Sequence, residues 1–246
     1  MDTSKLKNLM NEKVKELQTP IIAGSEYLAL NNDTLEIIRT NLKNQPLSLE
    51  LFDIVKSPSG GSTVFSVPSL SGDDAEKELY GIILDYTTPR AYWSSADPVE
   101  GTPPDCMSLD SIISSDGKAC AMCPYNTFGS KNGETGAKAC KESVLLFLLR
   151  PNSIMPLLVR IPVTSKGRFL KYMARLIGTL TPISGVVTKI SLEKATSKGG
   201  KPFALFNFEA VSTLSDEEAK QAKNFGKQFV QMVNMETVAP AINEAS

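Results

Sequence analysis

Residues 103–143, PPDCMSLDSIISSDGKACAMCPYNTFGSKNGETGAKACKES, hold all four cysteines of a 246-residue chain that has no histidine. Pro103, Pro104, Gly117, Pro124, Gly129, Gly133 and Gly136 punctuate a stretch of little apolar content. Such a segment cannot keep its shape by burial alone, so any fold for the chain must carry it as an insertion held by something else. Metal binding can supply the missing folding free energy.

Cys120 and Cys123 are separated by two residues, close enough for both sulfurs to reach one ion; Cys106 precedes the pair and Cys140 follows it. Four thiolates complete a tetrahedral zinc shell and leave no position for water, which makes the site structural rather than hydrolytic. One pair plus two singletons is a weaker signature than two Cys-x-x-Cys pairs. Unrelated reduced thiols, or redox or disulfide use, stay open as alternatives, and the spacings fit neither ferredoxin run for an iron–sulfur cluster.

The absence of histidine excludes Ser-His and Cys-His nucleophilic catalysis and removes the commonest general base. No run approaches the length of a membrane span, and MDTSKLKNLMNEKVKELQ lacks a signal-peptide core, so a cytoplasmic protein is expected. Clustered thiols in a reducing compartment are more often ligands than staples.

Periodicity gives the frame. Residues 3–18 space Leu6, Leu9, Met10, Val14 and Leu17 as an amphipathic helix, and Asp33 can cap a second at 33–42. From Pro46, LSLELFDIVKSPSGG and STVFSVPSL read as one or two strands, and EKELYGIILDYTT (76–88) as a stronger one. After the cysteines, SVLLFLLRPNSIMPLLVRIPVT reads as strand, turn, strand. Residues 165–179 follow as a helix with Phe169, Met173, Leu176 and Leu180 close to one face, then two strands joined across SKGG. Ser215 and Glu218 form a capping box for a last helix running to about Met235.

The fold class expected is therefore mainly β (α+β). Five strands with a helix between the third and fourth is the chain order of an oligonucleotide-binding (OB) barrel. The zinc-module insertion falls between strands 1 and 2, with helices at both termini. The division is 1–45 helical, 46–213 barrel with the insertion at 103–143, and 214–246 helix and tail.

RAYW, PPDCMSLD, GKACAMCPYNTFGS, GAKACKESVLLFLL and LLVRIPVTSKGRFLKYM together resemble a family of bacteriophage and mobile-element single-stranded DNA-binding proteins, over roughly residues 80–212. The architecture is similar to the zinc-bearing domain of the replication protein A large subunit. What the resemblance implies is non-sequence-specific binding of single-stranded DNA, or RNA, in replication or recombination within the host cytoplasm. Replication or recombination proteins would be partners.

Single-strand binders combine a basic groove with exposed aromatic faces. The candidates are Arg90, Tyr92 and Trp93 after the first barrel strand, and Tyr125, Phe128 and Lys131 within the cysteine segment. Lys189, Lys194, Lys198 and Lys201 lie along the last hairpin. Between Lys166 and Lys201 eight basic residues face the single acid Glu193, in a chain of net charge −1. Packing roles compete for each of these: Trp93 as core, Tyr125 and Phe128 as the small core of a metal knuckle, helical lysines as a solvated face. Two other functions compete with strand binding. Asp85, Asp97, Asp105, Asp110 and Asp116 could hold magnesium for nuclease chemistry, but their spacing fits no motif and the chain is not expected to be an enzyme. A zinc-stabilised structural or adaptor protein without nucleic-acid contact is the stronger alternative. Self-association through the N-terminal helices is also expected as a route to cooperative coverage.

Overall fold

The computed structural model describes Tyr27, residues 32–43, Gln45, and residues 47–95, 102–131, 136–197 and 199–234. The helix expected over residues 3–18 lies outside these residues, as do Asp97, Lys198 and the C-terminal tail.

Among the described residues the protein is a mainly-β α+β structure in which a curled mixed sheet forms a half-barrel with three helices. Helix α1 (Asn32–Asn41) leads into the short strands β1 (Leu47–Ser48) and β2 (Ile54–Val55). The hairpin β3 (Phe65–Ser69) and β4 (Gly72–Glu76) follows, then the long strand β5 (Glu78–Thr87). Two three-residue strands come next, β6 (Arg90–Tyr92) and β7 (Cys106–Ser108). The second half contains β8 (Lys141–Leu149), β9 (Leu157–Pro162), α2 (Val163–Gly178), β10 (Val186–Thr196), β11 (Pro202–Thr213), α3 (Asp216–Met232) and β12 (Val233–Asn234).

The sheet runs β11-β10-β5-β8, and β8 carries β9 along one edge. On its other edge it carries β5 and then β6, which pairs in turn with β7. The expected five strands are all present, but the sheet is larger. Among the described residues β9 does not pair with β11; the outer edge of β9 is taken by β2 in parallel register. Strand β4 was not anticipated either. Every residue from Gly72 to Ala75 is exposed, so it exists by hydrogen bonding to β3 and has no apolar face to betray it.

Strand β8 is apolar from Val144 to Leu149 because both its faces are buried there. Val144, Leu146 and Leu148 point into an inner core with Leu79 and Ile83 of β5, Val159 and Ile161 of β9, Ile190 of β10 and Phe206 of β11. Helix α2 closes this core with Phe169, Tyr172 and Leu176. Leu180, expected on that face, falls beyond the helix and is exposed. Leu145, Phe147 and Leu149 point the other way, into an outer core built with Leu35 and Ile38 of α1 and Phe225 and Phe229 of α3. Phe52 stands edge-on to both Phe147 and Phe229, with centroids 6.0 and 5.8 Å apart. The terminal helices thus share one core with the sheet, and β1 and β12 pair in parallel beside it.

Two glycines permit this packing. A Cβ on Gly81 would lie 2.5 Å from the Leu149 carbonyl oxygen, and one on Gly226 would lie 2.8 Å from that of Leu84. The second contact seats α3 directly on β5, where a register shift interrupts the pairing with β8. Ser215 opens α3 as expected: its hydroxyl accepts from the Glu218 amide while the Glu218 carboxylate accepts from the Ser215 amide.

In urea titrations Phe229→Ala is expected to cost about 3–5 kcal/mol through the cavity it opens. Ser215→Ala should cost about 1 kcal/mol. Equal losses for the two would contradict the packing described.

Candidate functional site at the cysteine module

The module grows from the sheet. After Pro89 the chain turns into β6, which pairs Arg90 with Glu142 and Ala91 with Lys141 at the start of β8. β7 pairs with the opposite edge of β6 and sets Cys106 opposite Tyr92. Beyond β7 the chain is organised by side-chain turns. Asp110 accepts from the amide of Ile112 at 2.8 Å, which lowers its pKa. Asp116 takes the Lys118 ammonium at 2.6 Å and the Ser114 hydroxyl at 2.5 Å; the Lys118 contact is the main reason its carboxyl is held down to about 2. Asp105 caps the Ser94 amide at 2.6 Å. The described carboxylates of the magnesium hypothesis, Asp85 among them, each accept from a nearby backbone amide or bind within a local turn.

Two short 3-10 turns, Cys120–Met122 and Pro124–Asn126, carry the tight cysteine pair. The Cys140 amide donates to the Tyr125 carbonyl at 2.9 Å and closes the module. Cys106, Cys120, Cys123 and Cys140 all line one cavity of about 380 Å³. All four are free thiols. Burial, with the neighbouring cysteine sulfurs adding to it, pushes Cys140 up to about 11 against the pull of Arg90. Burial also raises Cys106, whose sulfur lies 3.9 Å from an Asp116 oxygen. The donor chemistry suits a thiophilic ion, but the arrangement is open: among the described residues no group of three or more His, Cys, Asp or Glu side chains is set to hold a metal ion.

Arg90 lies differently from its sequence reading. It is 8 % exposed, and its guanidinium binds Glu142 at 2.6 Å and also Asn126. That commitment makes it a strut between sheet and module, with little left for a ligand. Asn126 is the hub: its amide donates to the Cys120 carbonyl at 2.8 Å, and its oxygen also accepts from Lys138 at 3.0 Å. Glu142 further accepts from Lys166. Asn126, Lys138 and Glu142 were not among the sequence candidates. Their one visible signal is that Glu142 is an acid heading an otherwise apolar strand.

The aromatic candidates separate into two groups. Trp93 leans on the outer core and donates its indole N–H to the Thr102 carbonyl at 2.9 Å. Tyr92 and Tyr125 stack with centroids 3.9 Å apart and planes 12° apart, and a side-chain hydrogen bond in which the Tyr92 hydroxyl donates to Tyr125 raises the Tyr92 pKa. Tyr125 is 43 % exposed and Phe128 78 % exposed. The Lys138 ammonium stands 4.6 Å from the Phe128 ring centre. Lys131 lines a second groove beside Phe128 together with Lys138 and Lys141.

The hairpin lysines lie elsewhere. β10 runs antiparallel to β5, pairing Ser191 with Glu78, so its tip projects past the start of β5 while the module sits past its end. Lys194 and Lys201 are exposed there; Lys189 is ion-paired to Glu209 at 2.5 Å. Between the two ends the outer face of β8 is covered by Phe52 and Phe229.

No helix of the described residues is long and apolar enough to cross a membrane. Comparison with protein-family models, curated proteins and solved structures finds no match to this chain.

Arg90→Met leaves Glu142, 11 % exposed, with Lys166 alone, and is expected to cost about 3 kcal/mol in chemical denaturation. Adding Glu142→Leu should recover part of that loss. A double variant no more stable than the single would refute the strut.

Proposed function

We propose that the chain binds single-stranded nucleic acid, DNA foremost, without sequence preference, and that the strand is held on the cysteine module. The observation that carries this reading is the exposed ring of Phe128 beneath the Lys138 ammonium, on the same module as the Tyr92–Tyr125 stack, whose Tyr125 is also exposed. Rings open to solvent accept bases, each contributing about 1–3 kcal/mol, and the adjacent lysines meet phosphates. Phosphate contacts of this kind carry no sequence information.

Two finer readings accompany it. The half-barrel is a variant of the five-stranded OB barrel, supported by β5 lying between β8 and β10 as the first strand of such a barrel lies between its second and fourth. With the outer face of β8 covered, binding shifts from the usual sheet face to the insertion. Cys106, Cys120, Cys123 and Cys140 would hold one structural zinc, supported by their sharing one cavity. The metal would lock the module's shape, while Asn126 and Arg90 fix its orientation on the sheet. The sequence resemblance to phage and mobile-element proteins supports a role in replication or recombination.

Anisotropy of a labelled oligo-dT is expected to show binding at low salt, with log affinity falling roughly 0.7 per phosphate neutralised as log salt rises. Phe128→Ala and Tyr125→Ala should each raise Kd roughly five- to hundredfold, in line with one lost stack. No binding at low salt removes the reading. An adaptor role would then gain, favoured by the exposed Ile112, Ile113 and Met122 on the same module.

Metal analysis of the purified protein is expected to find roughly one zinc per chain, with chelation lowering the melting temperature. Zinc-free protein whose melting is indifferent to Cys120→Ser excludes the structural metal.

A further inference from the structure

Two surfaces outside the cysteine module are exposed, apolar at their centre and opposite in charge, the second reaching the groove beside Phe128 only at Val163. The first is the β3–β4 hairpin. Leu70 at its turn is fully solvent-exposed, and on β4 Asp73 and Asp74 follow on opposite faces of the hairpin, Asp74 across from the buried Val67 and Asp73 on the outward face with Ser66. Asp73 accepts a hydrogen bond from Ser66, but among the described residues neither aspartate has an ion-pair partner. The outer edge of β4 is also unpaired there.

The second is the outward side of α2. Its inward side is spoken for by Phe169, Tyr172 and Leu176. On the outside Val163, Leu170 and Ile177 are 57 %, 47 % and 66 % exposed, and helical spacing sets them in one row over the small residues Gly167 and Ala174. Lys171 and Arg175 run beside that row, one turn apart. The other two cations of the helix are engaged, Lys166 with Glu142 and Arg168 with Glu193 at 2.8 Å, whereas Lys171 and Arg175 face no carboxylate among the described residues.

The two patches are complementary: an apolar knob with an outward acid against an apolar trough with two bases. We propose that they meet between copies of this chain. Leu70 of one copy seats on the Leu170–Ala174–Ile177 row of the next, with Asp73, on the outward face of the hairpin, opposite Lys171 and Arg175. Because the two surfaces differ, the contact is head-to-tail, and repeated it builds a ring or an open chain of copies rather than a two-fold dimer. The contact uses neither the cysteine module nor its aromatic rings, so each copy keeps its proposed binding face while its neighbours line up. Charge at the rim sets register and salt sensitivity.

Sedimentation velocity of the full chain tests this in the absence of nucleic acid. Concentration-dependent association weakened by salt is expected. Leu70→Asp, Asp73→Lys and Lys171→Glu/Arg175→Glu should each weaken it about tenfold or more. An equimolar mixture of the two charge-reversed variants restores acid against base at every junction and should restore association. Circular dichroism of each variant distinguishes lost contact from lost fold. A wild-type chain that stays monomeric at all concentrations overturns the proposal, as does undiminished association of Leu70→Asp or a mixture no better than its components. Oligo-dT binding is read separately, so failure here leaves the strand-binding reading standing, and the reverse.

Discussion

The burial of β8 on both faces is the constraint from which the rest follows. A strand with one wet face can end a structure; a strand with two dry faces must be covered twice. The inner cover is the curl of the sheet itself, plugged by α2. The outer cover has to come from the chain's flanks, which explains why α1, Phe52 and α3 converge there from opposite ends of the sequence. The close approach at Gly226 is the local condition for that convergence, since any side chain at this position would strike the backbone of β5.

The same strand anchors the cysteine module. Its first two residues, Lys141 and Glu142, leave the core and pair with β6 instead. Glu142 then receives Arg90 and Lys166 in a partly dehydrated setting, where the ion pair resists solvent screening. Arg90 passes this rigidity to Asn126, and Asn126 to the backbone of Cys120. The module is therefore not a loose loop hung from two strand ends. It is a continuation of the sheet, and its exposed rings are presented from a fixed base.

What could be read in the sequence was what burial imprints on it. β8 and β9 showed because their apolar runs are long, and the β10–β11 hairpin because Gly199 and Gly200 mark its turn; α3 showed because Ser215 and Glu218 carry a local capping chemistry. The gathering of four thiols around one cavity was legible from spacing. β4 was not, since a wholly exposed strand has no hydrophobic period, and β6 and β7 were too short to have one. Arg90 read as a loop cation because its partner lies 52 residues away and meets it only through strand register. The hairpin lysines were grouped with the module's aromatics by charge, and the antiparallel return of β10 along β5 sends them to the other end of the sheet.

The pairing of Glu78 with Ser191 has a consequence for how the molecule is made. β5 leaves the ribosome long before either of its sheet neighbours, and at 5–20 residues per second β10 follows it by roughly 5–20 s. Until β8 emerges Leu79, Ile82, Ile83 and Leu84 have no sheet to enter. What emerges on either side of them is the β3–β4 hairpin, exposed along β4, before, and the turn-rich cysteine segment after. The nascent strand is thereby spaced from other long apolar segments by exposed and turn-rich chain until β8 arrives to pair with it.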